Sequence, residues 1–228
     1  MGKQSRIREW VKSIILAFLI ATFIRTFFVQ AFRIPSGSME NTLLVGDFLL
    51  VNKIFYGIHI PFIHKNILRI REPKRGDIVV FIFPHKNKYF VKRCIGLPGD
   101  TLEIKNKVVY INGTSIYESY KVIRDPYTFT HLPVDDTVNY QNEWINGEFQ
   151  FTGGSCRDNF GPVVVPEGKI FLMGDNRDNS SDSRFWGPLD SRRVLGSPLI
   201  IYWSWKKEIP FYRIWEKIRW NRIFNFVY

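Results

Sequence analysis

Cysteine is nearly missing from this chain of 228 residues. Cys94 and Cys156 are too few for a disulfide framework and match no metal-site spacing, so neither a disulfide-stapled nor a zinc-held fold is expected; they read as a small buried apolar residue and an incidental loop residue. Histidine is also scarce. His59, His64, His85 and His131 stand in loop-like stretches outside any motif, which leaves a serine–histidine triad without support. No internal repeat and no low-complexity tract is present, and a composition 45% hydrophobic and 23% charged belongs to a folded body rather than a disordered one. Acidic residues are outnumbered, 21 against 32 basic ones, for a net charge of +11. The excess lies at the two ends. Residues 1–34 hold Lys3, Arg6, Arg8, Lys12, Arg25 and Arg33 against Glu9, and residues 206–228 hold six basic residues against Glu208 and Glu216. A nearly neutral middle between basic ends fits a body held against anionic membrane lipids better than a phosphate-tracking groove, so no nucleic-acid partner is expected.

What the sequence does have is an apolar N-terminal run. Ser13 to Ile24 is uncharged, and the apolar character resumes after Arg25 as far as Phe32, so residues 13–32 approach the roughly 20 that a membrane-spanning helix needs. Arg25 stands near one end of the run, where its side chain can snorkel to the headgroups. No small-x-small cleavage site follows, because Arg33, Ile34 and Pro35 come next, so an uncleaved anchor is expected. The basic residues 1–12 place the amino end in the cytoplasm and everything from about Arg33 outside it.

After Pro35 short apolar runs alternate with Gly, Pro, Asn and Asp, the pattern of β structure. Residues 48–54, 78–83, 89–95, 101–104, 108–111, 169–173 and 199–203 are expected strands, with tight turns at Lys105-Asn106 and Asn112-Gly113. The fold class is therefore mainly β and partly closed. Residues 33–111 and 167–205 form the main domain, and residues 112–166 form an inserted β or loop region expected to be dispensable for chemistry. Residues 206–228 interleave aromatics with Arg and Lys, which suits either the headgroup layer or a helix packed on the body.

The segment Pro35-Ser-Gly-Ser-Met39 can turn sharply and present a hydroxyl. A serine needs a base, and with the histidines unplaced the alternative is a lysine desolvated enough to be neutral. In Tyr89 to Gly96 strand alternation sets Phe90, Lys92 and Cys94 on one face and Val91, Arg93 and Ile95 on the other, so Lys92 has apolar neighbours that lower its pKa.

PSGSM, TLLVGDFLLVNK at Thr42 to Lys53, RGDIVVF at Arg75 to Phe81, VKRCIGLPGD at Val91 to Asp100, and GDNRDNSSDSRFWG at Gly174 to Gly187 together resemble, in order, the signatures of bacterial type I signal peptidases. That resemblance implies a signal-peptidase-like catalytic β domain behind a single transmembrane helix. It matches Ser38 to the nucleophile, Lys92 to the general base, and Ser36 to a hydroxyl that joins the Ser38 N–H in an oxyanion hole. Ser180 matches a serine that orients the lysine, and Asp175, Arg177, Asp182 and Arg184 match charged positions that brace the site. It further implies no metal or cofactor, and as substrates exported preproteins carrying signal peptides, cut after a small-x-small motif such as Ala-x-Ala. A monomer in the bacterial inner membrane is expected. Two departures bear on local geometry: many relatives carry Pro where Asn41 stands, and an aliphatic residue where Cys94 stands. Two rival readings share parts of the pattern. A self-cleaving Ser-Lys repressor would need a helix-turn-helix before Ser38, where the apolar run lies instead, and an inactive membrane-tethered β module that binds peptides has no use for four matched hydroxyl and amine positions.

Overall fold

The computed structural model describes residues 3–56, 58–59, 66–67, 70–84, 88–129, 137–151 and 156–228. It opens with helix α1, Lys3–Phe27, in which Ile7–Phe27 is 21 residues long with a mean hydropathy of 1.7 and no part buried against the body. At a 1.5 Å rise per residue that stretch measures about 31 Å, the thickness of a bilayer's hydrocarbon. The apolar run is thus divided where the sequence reading kept it whole. The helix ends at Phe27, and Val29–Arg33 leaves it as strand β1. Lys53 makes the division: its Nζ donates to Thr26 O at 2.8 Å and its backbone N–H to Phe28 O at 3.0 Å, satisfying carbonyls at the helix end.

The remaining strands are β2 (Asp47–Asn52), β3 (Ile58–His59), β4 (Asn66–Ile67), β5 (Ile78–Ile82), β6 (Tyr89–Gly96), β7 (Thr101–Lys105), β8 (Val108–Ile111), β9 (Thr114–Ser115), β10 (Phe160–Val164), β11 (Lys169–Met173), β12 (Leu189–Asp190) and β13 (Val194–Ser204). Among the described residues seven of them form one antiparallel sheet in the order β1-β2-β13-β5-β6-β11-β12, and four form a smaller sheet in the order β10-β7-β8-β9. Alternation decides which side each strand buries: along β2, Asp47, Leu49 and Val51 are buried while Phe48, Leu50 and Asn52 are not. Strand β5 is buried on both faces, as befits a central strand. Asn106 and Lys107, with φ of 48° and 67°, close the β7–β8 hairpin, and Asn112-Gly113, with φ of 51° and 79°, closes β8–β9.

Most of the expected strands coincide with observed ones. Strand β10 and helix α2 (Thr137–Asn146), however, lie in the region read as irregular. The α2 helix buries Trp144, whose Nε1 donates to Ser183 O at 2.7 Å. Gln141 on the same helix bonds Val164 N and O, both at 2.8 Å, and so covers the free edge of β10. The core has three parts. One lies under α2 and the small sheet around Trp144, Phe160 and Phe171, one around Phe81, Cys94 and Trp186, and one around Met39, Leu43, Leu49 and Val80.

The C-terminal segment is neither a continuous helix nor a detached tail. Short turns, including helices α3 (Ser183–Trp186) earlier and α4 (Ile214–Lys217) here, give way to bridges that pair Trp205 with Ile218 and Ile200 with Phe226. Arg222 then forks onto buried Asp47, with NH2 at 2.7 Å from Oδ2 and 2.8 Å from Thr42 O, while Arg219 NH1 donates to Val45 O at 3.0 Å. The segment therefore straps the loop between Thr42 and Asp47, and its aromatics Tyr212, Trp215, Trp220, Phe224 and Phe226 stay exposed.

Candidate active site

Ser38 lies in the 3-10 turn Gly37–Met39, which follows the extended Ser36 (φ −130°, ψ 156°) and is rooted by buried Ile34 and Met39. Ser36 and Ser38 line a largely apolar cleft of about 480 Å³ whose other walls include Phe32, Ile34, Tyr89, Phe90 and Val91. The turn is held from behind by Asn176, whose N–H donates to Ser38 O at 3.1 Å and whose Nδ2 donates to Gly37 O and Glu40 Oε2, each at 3.2 Å.

Beyond the Ser38 turn Asn41 takes φ of 81°. Asparagine tolerates this left-handed conformation, whereas proline is fixed near −65°. Asn41→Pro is therefore expected to shift the turn and lower turnover by about tenfold or more, with Asn41→Gly within about twofold of the parent, since enforced strain of this kind costs on the order of 1–3 kcal/mol. Steady-state cleavage by the two folded variants checks it, and a fully active proline variant would show that the left-handed turn is not required.

Lys92 is on β6 opposite Val79 of β5, and Phe90 and Cys94 on its own side join the cluster around Phe81 and Trp186. Only 2% of Lys92 is exposed. Burial pushes its ammonium down to about 8, against the attraction of Asp182 and Asp175. The turn that carries Ser38 packs against β6 and against the 3-10 turn Arg177–Asn179. Among the described residues no hydrogen bond joins Lys92 to Ser38 or to Ser180. The Ser180 hydroxyl is buried and has no hydrogen-bond partner among the described residues. Leaving it so costs about 1–3 kcal/mol, which marks it as a group kept for something other than packing. Gly174 brings these parts together, because a Cβ there would collide with both Ser180 Oγ and the carbonyl oxygen of Ser38.

The four charged signature residues are buried, each with a partner. Asp175 accepts from Thr42 Oγ1 at 2.6 Å and from Arg93 Nε and NH2, both at 2.8 Å. Asp182 binds Arg184 and the Gly174 N–H; burial alone would raise its carboxyl, but Arg184, Lys92 and that N–H outweigh it and hold it below the usual range. Arg177 forms a forked pair with Glu118, one arm at 2.9 Å.

Arg93, Thr42, Asn176 and Glu118 were not singled out from the sequence. Arg93 had a signal, a charge on a face otherwise holding Val91 and Ile95, which is the mark of a buried ion pair. Glu118 had none, standing 59 residues from its partner. Its place bears on the expectation that residues 112–166 are dispensable for chemistry. Val122 exchanges backbone bonds with Asp175 and Arg177, Tyr120 lies under Arg93 at 3.9 Å, and Arg124 pairs with Glu40 at 3.1 Å. Residues 118–125 are thus part of the support of the site. The histidines His64, His85 and His131, and the side chain of His59, lie outside the described residues. Among the described residues no three His, Cys, Asp or Glu side chains are grouped to hold a metal.

Residues 7–203 match the model of the family described as signal peptidase, peptidase S26. Signal peptidase I of Pseudomonas aeruginosa is 36% identical over 220 residues, covering 90% of this chain and 75% of the relative. Signal peptidase I of Bacillus licheniformis is 35% identical over 207 residues, covering 90% and 94%. A crystal structure of a signal peptidase I from Enterococcus faecalis V583 aligns with 56% of this chain and 97% of its own, at 28% identity and a TM-score of 0.40.

Proposed function

Because the chain belongs to the signal peptidase family, peptidase S26, we propose that it removes signal peptides from exported preproteins with Ser38 as nucleophile and Lys92 as general base. Its signal peptidase I relatives make it a serine endopeptidase; the assignment of the dyad is supported above all by one observation, a lysine 2% exposed whose pKa is pushed down to about 8, on the strand against which the Ser38 turn packs.

Neutral Lys92 takes the Ser38 proton as the hydroxyl oxygen bonds to the scissile carbonyl carbon, and the ammonium so formed protonates the departing amine. The oxyanion is received by the Ser38 N–H and the Ser36 hydroxyl, worth about 3 kcal/mol per donor by analogy with other such sites. Ser180 supplies the acceptor that orients the Lys92 amine. Water, deprotonated by Lys92, then splits the acyl-enzyme and restores both groups. Asp175, Arg177, Asp182 and Arg184 act by fixing the turns that carry Ser38 and Ser180. The apolar cleft favours the small apolar side chains of an Ala-x-Ala motif lying as an extended strand beside Phe32 to Ser36 and Tyr89 to Val91.

Membrane position completes the reading. With α1 as a single-pass anchor and its basic start in the cytoplasm, the body stands outside the bacterial inner membrane as a monomer, and the exposed aromatics of residues 211–228 rest in the headgroup layer of anionic lipids. Spheroplasts expressing the chain should process an Ala-x-Ala preprotein, and protease added from outside should digest the body while sparing α1. A protected body would contradict the topology, and a membrane-inserted, folded chain without processing would contradict the activity.

A further inference from the structure

Where α1 meets the body there is a second cavity, of about 520 Å³, that the proposed chemistry does not use. Among the described residues its polar lining is Thr22, Arg25, Thr26, Gln30, Lys53 and Tyr89, with two cations and no acidic residue. Lys53 is only 8% exposed, and its Nζ is satisfied by one carbonyl, Thr26 O at 2.8 Å. Among the described residues neither cation has a carboxylate partner. A buried ammonium with only a carbonyl for company is costly, and burial pushes the Lys53 pKa down accordingly. Two cations facing one space without a counter-charge make an anion site.

The cavity is also polarised along the membrane normal. Phe18, two turns deeper in the span than Arg25, lines the end toward the hydrocarbon, and Ile82 and Leu195 add apolar wall from the sheet. Arg25 lies two residues before the end of α1 and Lys53 bonds Thr26 O there, so with α1 read as a span both cations fall at headgroup depth. An occupant must then be anionic toward the body and apolar along the helix, which is the order of groups in a phospholipid and not in a free phosphate ion. Tyr89 lines both this cavity and the cleft at Ser38, so an occupant would border the wall of that cleft.

We propose that this cavity binds one membrane phospholipid, its phosphate between Arg25 and Lys53 and an acyl chain along Phe18. The proposal rests on the reading of α1 as a membrane span. Its test uses the full chain, delipidated in detergent and titrated with phosphatidylglycerol under native mass spectrometry. The parent chain should hold one lipid molecule. Arg25→Gln, remote from Ser38 and Lys92, should weaken that binding about tenfold or more, the scale of one charge-assisted hydrogen bond, and Arg25→Lys should recover most of it. Millimolar inorganic phosphate should not displace the lipid, and diacylglycerol, which lacks the phosphate, should not bind. Arg25 is chosen because substituting Lys53 would also free Thr26 O. Unchanged lipid affinity in a folded Arg25→Gln chain, displacement by phosphate alone, or equal binding of diacylglycerol would each overturn the site. Failure of the underlying reading looks different: α1 would leave the membrane on alkaline extraction, or the parent chain would not cleave a preprotein.

Discussion

Lys92→Arg is expected to be as inactive as Lys92→Ala and Ser38→Ala, each losing about 10⁴-fold or more in kcat/KM on an Ala-x-Ala preprotein. Arginine keeps a positive charge at position 92 but cannot give up its proton in the useful range, so the substitution separates a base from a structural cation. If Lys92 served only to hold its neighbours, Arg would retain much of the activity. Replacing each of His59, His64, His85 and His131 by Ala should leave substantial turnover, since none is assigned a proton. Purified, membrane-inserted variants compared at one pH provide the measurement, and near-parental cleavage by Lys92→Arg would return the search for the base to those histidines.

The second large effect is on stability. Asp175 is fully buried and holds Arg93 through two bonds and Thr42 through a third, while Arg93 is itself 3% exposed. Asp175→Ala leaves that guanidinium without its carboxylate, and breaking a buried pair from one side costs about 3–5 kcal/mol. A full-length variant in detergent should melt well below the parent and lose activity with it, because Thr42 belongs to the loop that follows Ser38. Adding Arg93→Met should restore part of the stability, since an apolar replacement of both partners removes the stranded charge. A loss under about 1 kcal/mol for Asp175→Ala alone would mean that Arg93 is adequately held by Gly76 O, to which NH1 donates at 2.8 Å, and by the Tyr120 ring.

How far the sequence foretells this arrangement depends on the distance over which each part is specified. The period of two in Asp47–Asn52, Thr101–Lys105 and Val108–Ile111 is local, and those strands are legible with their inward residues. The apolar neighbours of Lys92 follow from the same alternation. Strand β1 was hidden because Val29–Arg33 continues the apolar run of α1, and the end of the helix is marked by bonds from Lys53, distant in sequence, to Thr26 O and Phe28 O. Helix α2 buries one large residue, Trp144, in a stretch of β-branched and amide side chains with weak helical character of its own, so tertiary packing decides it. Glu118 and Tyr120 reach the site through a backbone bridge between Val122 and Asn176, a pairing with no mark in either segment. The resemblance implied which groups react, but it carried nothing over within residues 112–166, where part of the support of the proposed site lies.

The low pKa of Lys92 bears on stability as well as on rate. Its folded value, about 8, lies below its ordinary value of 10.5, so the unfolded chain binds the extra proton between those limits. The fold therefore gains stability as pH rises from about 8 toward 10.5, and below 8 the cost of burying the charged amine is present in full.

The central claim, that neutral buried Lys92 is the base, meets its most direct test in the pH dependence of kcat/KM for the parent chain. The rate should rise about tenfold per pH unit below 8 and level off above an apparent pKa near 8, the value to which burial pushes this lysine. A limb that instead levels off near 6.5, or a profile flat from pH 6 to 9, would contradict it.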